Sequence, residues 1–307
     1  MKETTKGTIY TLIAGTAWGI SGVSGQVLIA NGISVIQITS LRLLIAGLFL
    51  LVLAQMTAPD NLKRTLRDKR ALLHIFIFGM LGMAFNQLAY LVAIQHTNTG
   101  TATVLQYLCP VLVLAYTCLH NRQRPTLVEV LAILLAIGGT VLIATHGQVT
   151  SLAVTPLGLF WGIFSALTYA IYIILPVRLI REFGSLTVMG LGMLSGGLVM
   201  TFGFQTWNYS LPLTTSNLLA LVGIVGIGTI FAYTVFLEGV SKVGSAKGSL
   251  LASIEPVASV FFSVLLVHEL FYPMDLVGML LILLAVMGIS TKDFLLQKRQ
   301  VNGERND

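Results

Sequence analysis

The residue most able to do chemistry here is Glu255. It stands inside an otherwise apolar run, about 11 residues past Gly244. At ~1.5 Å per helical residue it lies roughly 16 Å along the axis, near the middle of a bilayer. A carboxylate at that depth costs several kcal/mol, on order-of-magnitude grounds, unless it meets water, a partner or a proton. Burial favours the neutral acid and a nearby cation favours the carboxylate, so the group can exchange a proton with a solute. The alternative is a structural acid held by hydroxyls or an ion pair. Pro256 follows directly, and its missing N–H frees a carbonyl in the preceding turn.

Two cations accompany this acid. Arg42 sits deep in its own apolar run, placed to hold an anionic group or to snorkel to headgroups. Lys247 precedes Glu255 on the same helix, near one membrane edge, with the same two readings. The remaining pocket candidates are Trp18, Gln87, Tyr90, Gln106, Tyr107, Tyr169, Tyr172 and Tyr233. Apolar walls with a few fixed polar groups suit a small amphipathic solute. Buried Tyr and Trp also pack against one another without any ligand. Asn86, adjacent to Gln87, is expected to face away and act as a packing amide.

The elements that must carry these groups are membrane helices. Only 10% of the 307 residues are charged, 55% are hydrophobic, and mean hydropathy is +0.87. Such a chain requires lipid as its solvent. With roughly 20 apolar residues needed per span, ten spans are expected, at 7–30, 33–55, 71–95, 98–119, 127–145, 155–177, 185–205, 216–237, 243–267 and 273–291. Lys and Arg occupy alternate links only. They include Lys2 and Lys6, the Lys63 to Arg70 cluster, Arg122 and Arg124, Arg178 and Arg181, Lys242, and the tail from Lys292. The positive-inside rule then puts both termini in the cytoplasm. The net charge of +6 is accounted for by this topology, so no nucleic-acid partner is expected.

The segments at 99–119 and 245–265 echo one another, each apolar with a central proline, Pro110 or Pro256. Duplication of a five-span unit inverts the second copy and places a site at the midplane between the halves. The expected fold is therefore all-α: two inverted five-helix repeats over 7–145 and 155–291, followed by a cytoplasmic tail at 292–307. The repeats differ chemically, since Cys109 stands where the second copy has Glu255. Cys109 and Cys118 read as small core residues. Gly15, Gly19, Gly192, Gly196, Gly223, Gly226 and Gly228 read as helix-packing positions.

In these residues the chain resembles the EamA-like family of the drug/metabolite transporter superfamily, over about 7–291. The resemblance rests on Ala17-Trp18-Gly19, Arg42, Gln87-x-x-Tyr90, Pro110, Ile254-Glu255-Pro256, His268-Glu269-Leu270, Gly139 and Gly288. Asn121-Arg122-Gln123 departs from it where the family often has an acid, so Glu269 gains no role by symmetry. The resemblance implies a secondary transporter of the bacterial plasma membrane. Its expected activity is export of amino acids, other metabolites or drugs, with proton coupling through Glu255; a lipid-carrier or amphiphile flippase is the rival. A small-molecule substrate, protons and lipid are the expected partners, and no signal sets an oligomeric state. No cofactor is expected: GxxxxGK[ST] is absent, the five histidines are dispersed, and no enzyme constellation appears.

Overall fold

The computed structural model describes residues 3–120, 126–148, 154–243, 248 and 251–303, and their regular structure is helical throughout. The first half comprises α1 (Glu3–Ala30), α2 (Val35–Thr57), a short polar α3 (Pro59–Arg67) and α4 (Lys69–Phe78). A π-helical stretch, Gly79–Ala84, joins α4 to α5 (Phe85–His96), and α6 (Thr99–Gln106), α7 (Cys109–His120) and α8 (Leu127–Thr145) follow. The second half has α9 (Pro156–Ile174), α10 (Val177–Phe183), α11 (Ser185–Phe204) and α12 (Thr215–Leu221). A second π-helical stretch, Val222–Phe231, leads to α13 (Ala232–Val243), α14 (Glu255–Val267) and α15 (Pro273–Gly303).

Helix starts follow local chemistry. Asp68 accepts from the backbone of Arg70 and Ala71, and Asn98 accepts from Thr101. Thr155 and Thr214 cap α9 and α12 in the same way. Gly32, at φ 79°, turns the chain between α1 and α2 in a conformation most side chains avoid.

Seven helices among the described residues are long and apolar enough to cross a membrane. Three shorter apolar helices, Thr99–Leu114, Glu255–Val267 and Pro273–Gly288, stand where the fourth, ninth and tenth spans are expected. The fourth and ninth are therefore not continuous rods. In each, the residue two before the proline makes a tight i−3 bond, Leu108 N to Leu105 O and Ile254 N to Leu251 O. A new helix then starts at Cys109 or Glu255, because a proline one turn on cannot donate to the old one. The last helix runs on through Gly303, with no break at the expected boundary of the tail.

Packing pairs equivalent positions of the two halves. α2 lies against α11, and α8 against α15; α1 packs on α13 as α5 packs on α9. Gly139 of α8 and Gly278 of α15 touch backbone to backbone, where a Cβ at either would come within 2.5 or 2.6 Å of the other's carbonyl oxygen. The small-residue motifs pack as expected except at Gly226, where a Cβ would meet only Val222 of its own helix, at 3.6 Å. Gly15 and Gly19 face residues 252–259, and Gly192 and Gly196 face Phe78 and Gly79.

Two end faces are defined by bonds between helix ends and the short helices beside them. The N-terminal face carries the ion pairs Glu3–Lys242 (2.7 Å) and Arg64–Glu182 (3.1 Å). The opposite face carries Asn31–Asn217 (2.6 Å) and the contact of His146 with Asp275. Between them the surface is a belt of exposed apolar side chains, including Val52, Leu134, Phe160, Leu219 and Phe261. A hydrocarbon solvent accounts for such a belt.

The glycine contact gives a direct test. Gly139→Leu is expected to lower the thermal unfolding midpoint in detergent by several degrees, reflecting overpacking of about 1–3 kcal/mol. Gly138, with open space around it, is the control: Gly138→Leu should hold or raise the midpoint, because Leu is the better helix former.

Candidate functional site

The middle of the bundle contains a cavity of about 320 Å³. Trp18, Arg42, Gln87, Tyr90, Gln106, Tyr107, Tyr169, Tyr172, Tyr233 and Glu255 all line it. Ten residues singled out by type and depth are thus brought to one place, from α1, α2, α5, α6, α9, α13 and the two proline breaks. Lys247 lies outside the described residues, as do the expected loop cations Arg122 and Arg124.

The proline break makes the centre of this site. Pro256 has no N–H to give to the Ala252 carbonyl one turn back. Tyr107, at the break in the other half, places its Oη 3.1 Å from that oxygen and 2.9 Å from Glu255 Oε2. The single phenolic proton can serve only one of them at a time. Glu255 is thereby fixed by a neutral donor from the opposite half, and among the described residues it has no ion-pair partner.

Arg42 does not snorkel. Its side chain is buried, with Nε donating to Thr229 Oγ1 (2.8 Å) and Nη1 to Gln87 Oε1 (2.7 Å). Thr229 sits in the π-helical stretch and itself donates five residues back, to Ile224 O. The wide turn is what brings this hydroxyl round to α2. Arg42 and Glu255 therefore border one cavity, each bonded to neutral groups and not to each other.

Aromatic contacts make up most of the remaining wall. Tyr172 Oη donates to Tyr233 Oη (2.9 Å), and Tyr169 stacks on Tyr172 with centroids 5.6 Å apart. Trp18 meets Tyr233 edge-on at 5.5 Å and Phe236 at 5.0 Å. Tyr90 Oη bonds Thr103 Oγ1 (2.7 Å).

Asn86 corrects the sequence expectation. It lines the cavity beside Gln87, and its Oδ1 accepts from Gln106 Nε2 (3.2 Å) and Thr168 Oγ1 (3.3 Å). Residues 100° apart on a helix can both border a cavity that wraps round it, and the π-helical turn ending at Ala84 re-aims this segment. Thr229, Thr103 and Phe236 were also missed. The only signal for Thr229 was its place in a glycine-rich run, which reads equally well as packing.

Comparison with known proteins follows the same lines. The profile of the EamA-like transporter family matches twice, at residues 5–145 and 156–291. An uncharacterized inner membrane transporter of Salmonella typhimurium, YicL, is 38% identical over 291 residues, covering 94% of this chain and 97% of its own. An uncharacterized transporter of Archaeoglobus fulgidus is 28% identical, covering 82% and 85% respectively. A solved structure, titled only as the crystal structure of a protein, superposes with a TM-score of 0.62 over 96% of this chain and 99% of its own. At 17% identity that likeness concerns the fold.

The Arg42 clamp predicts a measurable coupling. Gln87→Leu leaves the buried guanidinium one acceptor short and should cost about 1.5–3 kcal/mol. Adding Arg42→Met should cost less than the sum of the single changes, because both partners are then apolar. Thermal unfolding of the four proteins in one detergent measures this cycle.

Proposed function

Because this chain belongs to the EamA-like transporter family, we propose that it is a secondary transporter exporting amino acids or similarly small zwitterionic solutes across the bacterial plasma membrane. The observation that carries this reading is the pair of charged groups, the buried Arg42 and the half-buried Glu255, facing one cavity without neutralising each other. A guanidinium held on two sides keeps further N–H groups for a carboxylate. A carboxylate held by one phenol can take an ammonium, and the surrounding rings attract the same cation by their faces.

The cavity volume also supports a small solute. Pockets for drug-sized ligands begin near ~300 Å³, and a long-chain lipid carrier needs far more room or a lateral apolar groove. Proton coupling follows in this reading from competition at Glu255. The ammonium and the proton neutralise the same oxygens, so each releases the other. The paired packing of α2 on α11 and α8 on α15, with matching proline breaks, supports ten spans arranged as inverted repeats. The basic links support cytoplasmic termini.

Transport in proteoliposomes with an imposed proton gradient and a panel of radiolabelled amino acids tests the proposal. Arg42→Gln should reduce uptake at sub-saturating substrate by 10-fold or more, in line with the ~1.5–3 kcal/mol of a charged hydrogen bond. Glu255→Gln should abolish proton-driven accumulation. Unchanged rates and unchanged pH dependence in a well-folded Glu255→Gln protein overturn the role given to this acid. Trp18 supplies a binding signal: solute-induced quenching should vanish in Trp18→Phe while Trp161 and Trp207 still emit.

A further inference from the structure

The cavity is closed on one side by a narrow packed seam and a few bonds that can break. Its walls reach Val240, close to Lys242 on the N-terminal face. Toward the opposite face it ends at the Tyr90–Thr103 bond, beyond which α1, α6 and α14 meet in a narrow seam. A Cβ at Gly19 would lie 2.7 Å from Ala258 Cβ and 2.8 Å from Ser259 N, and one at Gly22 would lie 2.5 Å from Thr99 Cγ2. The far end is tied by Glu269, which accepts from Gln26 Nε2 (2.8 Å) and Asn98 Nδ2 (3.3 Å). Gln26 Oε1 in turn accepts the Thr99 N–H (2.8 Å).

The chemistry of this seam does not match its dryness. Among the described residues, the buried side-chain oxygens without a hydrogen-bond partner are Ser21 Oγ, Thr99 Oγ1, Ser259 Oγ, Ser263 Oγ and Gln37 Oε1. Three of these five, Thr99, Ser259 and Ser263, lie where α6 and α14 meet α1, whereas Ser21 packs on Gly228 at the cavity wall. Other helix hydroxyls, such as those of Thr11, Ser24 and Thr103, bond the carbonyl one turn back. A buried hydroxyl left unpaired is a standing cost to the folded state. Three on one seam make sense if that seam is wet in a second conformation. On α14 the spacing agrees, since Glu255, Ser259 and Ser263 recur every four residues. The face that presents Glu255 to the cavity thus continues outward through the two serines.

We propose that this seam is the second half of the solute path: Thr99, Ser259 and Ser263 line it when α6 separates from α1 and α14, and Glu269 with Gln26 and Asn98 is the latch that holds it shut. The path carries the same polar solute as the cavity, so the inference rests on the transport reading above. A latch built on one carboxylate and two amides can be released without burying a lone charge, because Glu269 is already half-exposed. The tight, glycine-lined contact ensures that the closed seam leaks neither water nor protons.

Cysteine labelling in proteoliposomes tests this. During turnover, Ser263→Cys should react with a membrane-impermeant maleimide added from the side opposite the N-terminus, above the background of the unsubstituted chain. Adding Glu269→Gln should raise that rate 10-fold or more by populating the open seam; Gln26→Leu serves the same purpose should the first variant fold poorly. Bridging Gln26→Cys to Thr99→Cys with a short bis-methanethiosulfonate should stop transport, and reductant should restore it. The inference is overturned if position 263 stays unreactive in a transporting protein in both backgrounds, or if the bridged protein transports at full rate. Failure of the transport reading looks different: position 263 opens to label and closes on bridging, but Arg42 and Glu255 variants move every tested solute like the parent chain.

Discussion

A carbonyl that its own helix cannot satisfy organises the centre of this protein. Pro256 cannot donate to Ala252 O, and in a lipid environment there is no bulk water to donate instead. Tyr107 fills that role from the other half of the chain, and the same hydroxyl lies beside Glu255. The break therefore binds the two halves and sets the position of the acid. It also keeps the helix from running through the midplane as a smooth rod, which leaves space for the cavity.

Around that point, close backbone approach does what apolar burial does in water. Lipid tails are as apolar as Leu, so helices gain little by hiding side chains from them. Contacts such as Gly139 on Gly278 bring dipoles and van der Waals surfaces together over short distances. These contacts recur at equivalent pairs, giving a firm frame outside the cavity. The seam of α1, α6 and α14 differs: small residues allow tight closure there, but its oxygens are left unmatched. Firm frame and ill-matched seam together are the ingredients of a structure with two states.

The charges obey the same economy. Arg42 is deep, yet its Nε and Nη1 meet fixed oxygens, so it need not pair with Glu255. Two separated, hydrogen-bonded charges in one cavity form a site of mixed polarity. Under the transport reading proposed above, a solute carrying both charges would suit that arrangement better than one carrying neither, since each uncompensated partner is costly to desolvate.

Much of this was legible in the residues alone. Hydropathy and charge alternation marked the helices and the two faces, because a bilayer requires long apolar runs and one leaflet collects Lys and Arg. Depth along each run marked ten cavity residues, because polar groups at the midplane need a reason to be there. Tertiary structure alone decided which polar group meets which. The meeting of Tyr107 with Glu255 spans residues that only packing brings together, and Arg42 finds Thr229 through a π-helical turn that leaves no periodicity to read. Asn86 entered the cavity for the same reason, against the rule of helical faces. The chain's composition determined its solvent and its helices; the three-dimensional fit of broken helices determined the site, since only that fit says where a freed carbonyl or a buried charge finds its partner.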